Sequence, residues 1–239
     1  MVVHLLPSVR IAALLLTFAI TRPADAAENS EPEKSERTLG VLIFPGFELL
    51  DAYGPLEMWG NVGKKLKVVT IAAEKGEVAS AQGPKSVADY SFNDCPKLDL
   101  ILVPGGFGAL KVARDEQTLE WLRIRSKEAE ITMSVCNGAS ILAATGLLDG
   151  RKATTNKAYW SLSTARGKNV DWIKQARWVD DGNMVTSSGV SAGIDMSLHV
   201  IARLYGDSLA TRLANSAEYE WHRDPSWDPF AKLHGLVAE

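Results

Sequence analysis

Apolar runs alternate with amphipathic runs along most of the chain, and this pattern predicts strands that alternate with helices. Strands buried on both faces of a parallel sheet are continuously apolar, whereas a surface helix is apolar only every third or fourth residue. The principal strands are predicted at 39–44, 66–72, 98–103 and 131–135. Helices are predicted at 47–62, 110–129, 138–147, 158–166, 191–205 and 207–219. The expected fold is an α/β domain with a mostly parallel sheet sandwiched by helices.

Weaker signals predict further short elements. Short strands are predicted at 78–81 and 153–155, and an Asp-Gly turn at 181–182 pairs strands at 176–180 and 184–187. The dipeptide Gly54-Pro55 predicts an interruption of the helix over 47–62, because proline fits the first turn of a new helix. The tail over 220–239 contains two prolines and two tryptophans and predicts an ordered loop or an interface.

The first residues are typical of an export signal. Arg10 precedes an apolar run over 11–20, and Ala24-Asp25-Ala26 has the small residues of a cleavage site. We therefore expect a signal peptide over 1–26, a flexible charged leader over 27–37 and a folded domain over 38–239. The protein is expected to be periplasmic or secreted, with no stable membrane association after cleavage. An uncleaved membrane anchor is the alternative.

Composition narrows the classes of function. The chain has 239 residues, a formal net charge of −3 and two cysteines. No stripe of Lys and Arg is present, so no nucleic-acid partner is expected. Two cysteines are too few for a disulfide framework or a zinc site, and their different positions disfavour a bond between them. We expect no metal and no cofactor.

A cysteine lies where the strand over 131–135 meets the following helix. Ser134 and Gly138 are small residues two positions before and after Cys136, which is the spacing of a nucleophile elbow. A helix N-terminus at this position favours the thiolate. The alternative is a buried cysteine that acts as a small hydrophobic residue.

Ligands of parallel α/β sheets bind at the carboxyl ends of the strands, where this sequence places four stretches. They are residues 45–51, 104–108, 136–137 and the segment after Thr155. The backbone amides of Gly105 and Gly106, with that of Asn137, are candidates for an anion hole around the group that Cys136 attacks. The alternative for the glycine pair is a plain tight turn.

Acidic and aromatic residues complete the candidate site. Asp51 follows the first strand and is a candidate proton-transfer group, although spacing does not separate it from Glu48 or Glu57. None of His199, His222 and His234 follows a strand near Cys136, which disfavours a cysteine–histidine dyad. Trp160 follows the segment 154–156 and is a candidate for the pocket wall.

Four sequence blocks resemble the ThiJ/PfpI superfamily, which includes the parkinsonism-associated deglycase. They are VLIFPGFELLDAYGPLEMW, LDLILVPGG, TMSVCNGASILAATGLLDGRKATT and VTSSGVSAGIDMSLHVIARLYG. The resemblance implies a flavodoxin-like, class I glutamine amidotransferase-like fold in one domain. The form Asp51-x-x-Gly54-Pro55-x-Glu57 is most similar to the isonitrile hydratase branch and to sensor domains of AraC-type regulators.

The resemblance also implies roles for individual residues. Cys136 matches the family nucleophile, Asp51 its acidic partner, and Gly105, Gly106 and Asn137 the oxyanion side of the site. Two positions depart from the pattern: Asn137 replaces the threonine typical of isonitrile hydratases, and Asn156 replaces a histidine of many relatives. Asn156 is therefore a candidate substrate-binding residue.

The implied activity is that of a cysteine-dependent hydratase or hydrolase that adds water to a small electrophile. A glyoxalase or deglycase acting on small carbonyl compounds is one alternative, and a redox-responsive or ligand-binding protein without enzymatic activity is another. The resemblance also implies a homodimer.

Overall fold

The computed structural model describes residues 36–238. The predicted signal peptide lies outside the described residues, and export and dimer formation stay predictions. The first strand begins at Arg37, one residue before the expected start of the domain. No helix within residues 36–238 is long and apolar enough to cross a membrane.

The described chain alternates strands with helices. The strands are β1 (Arg37–Leu42), β2 (Leu66–Ala72), β3 (Gly76–Ala79), β4 (Lys85–Ala88), β5 (Tyr90–Ser91), β6 (Leu100–Val103), β7 (Ile131–Ser134), β8 (Lys152–Ala153), β9 (Asp171–Trp172), β10 (Trp178–Asp181) and β11 (Met184–Ser187). The helices are α1 (Leu49–Gly60), α2 (Ala109–Val112), α3 (Glu116–Glu128), α4 (Ala139–Thr145), α5 (Trp160–Thr164), α6 (Ala192–Tyr205), α7 (Asp207–Ser216) and α8 (Pro229–Leu233). The four principal predicted strands are confirmed.

A seven-stranded sheet forms the centre of the molecule, in the order β10-β11-β7-β6-β1-β2-β5. Its pairings are parallel except for β10 with β11, which form the predicted hairpin. The residues of β6 and β7 are all buried, as their continuous apolar runs predict. Helices α1, α6 and α7 pack together, as do α2, α3, α4 and α5. The mostly parallel sheet flanked by helices confirms the predicted fold class.

The direction of the chain reverses beside β1, and this reversal places the candidate site. The chain runs outward from β1 to β2 and β5, and then returns to the other side of β1 with β6, β7 and β11. Strands β1 and β6 are neighbours in the sheet, and the loop after β1 leads toward β2 while the loop after β6 leads toward β7 on the opposite side. Such a switch point opens a crevice at the carboxyl ends of the strands.

Two local predictions were wrong, and a third is confirmed only at its first residue. Helix α1 continues through Pro55, because Gly54 and Pro55 pack against Ile194 and Gly193 of α6; this packing offsets a proline cost of about 3 kcal/mol. The helix predicted over 110–129 is divided into α2 and α3, because the Asp115 side chain caps α3 by accepting a bond from the Thr118 amide. The strand predicted at 153–155 is outside the main sheet, and its first residue pairs with β9.

Candidate active site

Cys136 lies on a sharp turn between β7 and α4, as the elbow spacing predicts. Its φ is +58°, in the left-handed region, which costs a residue with a side chain about 1–3 kcal/mol. A Cβ at Gly138 would collide with the Val103 carbonyl, so the turn requires glycine there. The Cys136 amide donates to the Ser188 carbonyl at 3.0 Å, and its carbonyl accepts from the Thr155 hydroxyl at 3.0 Å. The turn is therefore held from both β11 and the segment after β8.

The structure selects Asp51 from the three acidic candidates. Asp51 is completely buried, and its Oδ2 atom accepts a hydrogen bond of 2.8 Å from the Gly105 amide. Its Oδ1 atom is buried and accepts no bond from an amide or hydroxyl within residues 36–238. Glu48 instead accepts bonds from Gln82, and Glu57 contacts Asn61. Asp51 is the carboxyl that faces the thiol.

Asp51 and Cys136 form an electrostatically coupled pair. Burial raises the pKa of Asp51 well above its ordinary value, and the Gly105 amide and Cys136 thiol oppose this effect. Burial also raises the pKa of Cys136, and the neighbouring Asp51 charge raises it further. Because the pKa of each group is raised, the pair holds a proton more strongly than either group would in water. The carboxyl is therefore placed where it can accept a proton from the thiol.

Three N–H donors surround the sulfur of Cys136. The Asn156 side chain donates to Sγ at 3.1 Å, and the backbone amides of Asn137 and Val190 also bond to it. Each of the three lowers the pKa of the thiol and so stabilises the thiolate. Val190 was not predicted from the sequence, although the small residues at 187–189 before α6 are a signal for a tight approach to the site.

The structure does not form the anion hole that the sequence predicted from the Gly105 and Gly106 amides. The Gly105 amide is occupied by Asp51, and the Gly106 amide donates to Asn137 Oδ1 at 2.7 Å. The Asn137 side chain also donates to the Gly106 carbonyl at 3.1 Å. The prediction that both glycine amides face a ligand is therefore wrong for this structure, because side chains already accept from them. They position the Asp51 carboxyl and the Asn137 side chain instead.

Trp160 does not line the cavity beside Cys136, contrary to expectation. Its ring makes an edge contact with Trp172 at 6.1 Å between centroids. The Lys157 ammonium lies 5.4 Å from the same ring. These contacts place Trp160 in the packing of α5 against β9, away from the sulfur.

A cavity of about 240 Å³ adjoins the donors to the sulfur. Asn156 and Val190 form part of its wall, and Phe230 and His234 from the C-terminal segment form another part. The sequence predicted order in the tail but gave no periodicity for α8. Within residues 36–238, no group of three or more His, Cys, Asp and Glu side chains is arranged to hold a metal ion.

Two buried ion pairs hold the C-terminal segment in place. Lys157 Nζ lies 3.1 Å from Asp228 Oδ2, and both side chains are 1% exposed. Arg177 Nε donates to Asp195 Oδ2 at 2.6 Å, and the Asp195 carboxylate also accepts from the Tyr219 hydroxyl. Since Lys157 follows Asn156 directly, the first pair connects α8 to the segment that contacts the sulfur.

Comparison with known proteins identifies a family and several relatives of this chain. The model of the DJ-1/PfpI family matches residues 37–203. Isonitrile hydratase of Pseudomonas putida is 36% identical over 181 residues, which are 76% of this chain and 78% of that enzyme. An HTH-type transcriptional regulator of Pseudomonas aeruginosa is 29% identical over 179 residues, and the match spans 72% of this chain and 52% of the regulator.

A solved structure and a further sequence relative point to the same family. The crystal structure of a ThiJ/PfpI family protein from Pseudomonas syringae has a TM-score of 0.71 and 31% sequence identity, and the match covers 84% of this chain and 82% of that one. A deglycase of Thermococcus kodakarensis is 27% identical over 149 residues, 62% of this chain and 87% of that enzyme. The chain belongs to the DJ-1/PfpI family.

Proposed function

We propose that the protein is a cysteine-dependent hydratase that converts a small isonitrile to an N-substituted formamide. The observation that carries the proposal is the buried Cys136–Asp51 pair, whose sulfur also accepts from three N–H donors. The 36% identity to an isonitrile hydratase supports this substrate class. The deglycase similarity supports carbonyl substrates at lower identity.

The first step adds the thiol across the terminal carbon of the isonitrile. Asp51 accepts the thiol proton, and the donors from Asn137, Asn156 and Val190 stabilise the sulfur anion. Sulfur attacks the terminal carbon, a C–S bond forms, and the proton held by Asp51 passes to that carbon. The product is a thioimidate, R–N=CH–S, attached to Cys136. A raised pKa suits Asp51 for both directions of this transfer.

The second step hydrolyses the thioimidate. The oxygen of a water molecule bonds to the same carbon, and one water proton passes to the nitrogen. The C–S bond then breaks, and the second water proton returns through Asp51 to sulfur. The net reaction adds one water to R–N≡C and releases R–NH–CHO, with the thiol and carboxylate restored.

The test measures conversion of benzyl isonitrile to N-benzylformamide by liquid chromatography. Wild-type protein is expected to turn over, Cys136→Ala to fall to the uncatalysed rate, and Asp51→Asn to lose about 10²–10⁴-fold in kcat/KM. Cys95→Ala is the matched control, because Cys95 is a second buried, free thiol outside the site. Full turnover by Cys136→Ala would refute the mechanism.

The same preparation is assayed with methylglyoxal in parallel. Consumption of methylglyoxal that requires Cys136, with no hydration of isonitriles, would replace the proposed activity by the glyoxalase or deglycase alternative.

A further inference from the structure

The cavity beside Cys136 is small and has a wall that the C-terminal segment supplies. Its volume of about 240 Å³ is below the roughly 300–1,000 Å³ of cavities that hold drug-sized ligands. At roughly 30 Å³ for each water-sized group, it holds about eight such groups. The wall nearest the sulfur is formed by Asn156 and Val190, and the C-terminal segment supplies Phe230 of α8 and His234 directly after that helix. A substituent that extends from the sulfur past Asn156 and Val190 enters this cavity and meets Phe230 of α8.

The buried lysine in the cavity wall is already paired with a carboxylate. Among the described residues, the cavity wall contains one lysine, Lys157, and no arginine. The buried Asp228 carboxylate pairs with Lys157. The Lys157 ammonium also donates to the Thr154 hydroxyl and to the Thr155 and Ala176 carbonyls, so its three protons are engaged. A carboxylate or phosphate entering the cavity would lose water without gaining a counter-ion from Lys157, which is costly, and the other ionisable side chain of the wall is His234.

Apolar side chains lie around the same region. Phe230 is 44% exposed although it lines the cavity. The loops that carry Asn156 and Gly106 also carry the exposed rings of Tyr159 and Phe107, which make an edge contact at 5.6 Å. Exposed aromatic rings beside a reactive group favour apolar substituents.

We infer that the site takes uncharged electrophiles with a compact apolar substituent, and that Phe230 of α8 sets the upper size of that substituent. This inference rests on the proposed function for the nature of the reacting carbon. It goes further because it assigns the selection of the substituent to a helix outside the matched residues 37–203.

The test uses alkylation of Cys136, which requires access to the sulfur and no turnover. The probes are iodoacetamide, N-tert-butyl-iodoacetamide, N-diphenylmethyl-iodoacetamide and iodoacetate. Rates come from mass spectrometry of the Cys136 peptide in a Cys95→Ala background. Each is divided by the rate of the same probe with N-acetylcysteine, which removes intrinsic differences in reactivity.

The two small neutral probes are expected to react at similar normalised rates, and iodoacetate to react roughly tenfold or more slowly because its charge finds no partner. The diphenylmethyl probe is expected to be excluded. Phe230→Ala should raise the rate of that bulky probe selectively, by about tenfold or more, and Phe230→Leu should raise it less. Leu233→Ala is the matched control, since Leu233 is on the same helix, 71% exposed and outside the cavity wall.

Two results would overturn the inference: equal normalised rates for iodoacetate and iodoacetamide, or the same rate for the bulky probe before and after Phe230→Ala. Failure of isonitrile hydration leaves these rates unaffected, so it counts against the proposed function alone. Hydration without the expected alkylation pattern counts against the inference alone.

Discussion

Removal of the Asp228 charge breaks one buried ion pair and tests how this pair holds the C-terminal segment. Asp228→Asn retains an oxygen that caps α8, where Asp228 Oδ1 accepts from the Phe230 amide at 3.0 Å. The variant loses the negative charge that lies 3.1 Å from the Lys157 ammonium. The change therefore leaves the shape and the cap and makes the lysine an uncompensated buried cation.

The size of the effect follows from the burial of the pair. Breaking a buried pair by removing one partner costs about 3–5 kcal/mol. The Lys157 ammonium retains three oxygen acceptors, at 2.6, 2.9 and 3.0 Å, which places the expected loss at the lower end. A loss of about 3 kcal/mol lowers Tm by roughly 6–12 °C for a domain of this size.

The pH dependence of this loss has a definite sign. Burial lowers the pKa of Lys157, and Asp228 opposes that effect, so Asp228→Asn lowers the pKa further. A lysine whose pKa is lower in the folded state binds fewer protons there than in the unfolded chain, whose lysine pKa is about 10.4. Stability of the variant therefore rises with pH toward about 10, more steeply than that of the wild type, and the deficit narrows.

The assay is urea unfolding followed by tryptophan fluorescence at several pH values. The double variant Lys157→Met with Asp228→Asn is expected to be more stable than Asp228→Asn alone, because no charge is left buried. Glu77→Gln is the control, since it breaks a pair with Lys85 whose side chains are both more than half exposed, and its midpoint should change little. A deficit below about 1 kcal/mol, or one that widens as pH rises, would contradict the assigned role of the pair.

Three further changes test the site. Gly105→Ala should lower the free energy of unfolding and slow Cys136 alkylation, because a Cβ would lie 2.9 Å from Asp51 Oδ2. Gly60→Ala is the control, because no atom lies within 4 Å of a Cβ there. The control should be neutral or stabilising in urea unfolding and should leave the alkylation rate unchanged. Asp51→Asn should flatten the pH dependence of stability above about pH 4. A carboxyl whose pKa is raised in the folded state contributes stability at low pH, and this contribution is lost as pH rises through the folded pKa. Urea midpoints measured at several pH values test this, and an unchanged slope of stability against pH contradicts it. Asn156→Ala removes a donor to the thiolate and should slow iodoacetamide alkylation at pH 8 by about tenfold to a hundredfold, and an unchanged rate would exclude that donor role.

The sequence predicted the centre of the fold because buried parallel strands have a local signature. Strand β2 has the predicted bounds, and the hairpin of β10 and β11 follows its Asp-Gly turn. The C-terminal helix α8 lacks such a signature. Its position depends on the pair of Lys157 with Asp228, which are far apart in the chain and have no pattern that connects them.

The chemistry of the site was predictable in part. The spacing around Cys136 predicted the turn, since small residues are a local steric requirement. Spacing did not separate Asp51 from Glu48 and Glu57, because burial decides among them and depends on the approach of the loop after β6, where the Gly105 amide binds Asp51. The use of the Gly105 and Gly106 amides depends on which acceptor lies closest in three dimensions, and this information is absent from a glycine pair.

The paired bonds between the Asn137 side chain and the Gly106 peptide extend the sheet beyond its strands. Pairing of β6 with β7 ends at Val103 and Ser134, and the side-chain amide then exchanges two bonds with the Gly106 backbone as another residue of a strand would. This extra rung joins the loops that leave β6 and β7 directly after their pairing ends. Gly105 and Cys136 directly precede the two residues of this rung, and the Gly105 amide holds the Asp51 carboxyl. The rung thus fixes, through the backbone, the position of the carboxyl relative to the thiol, so the alignment of the pair does not depend on a flexible side chain alone.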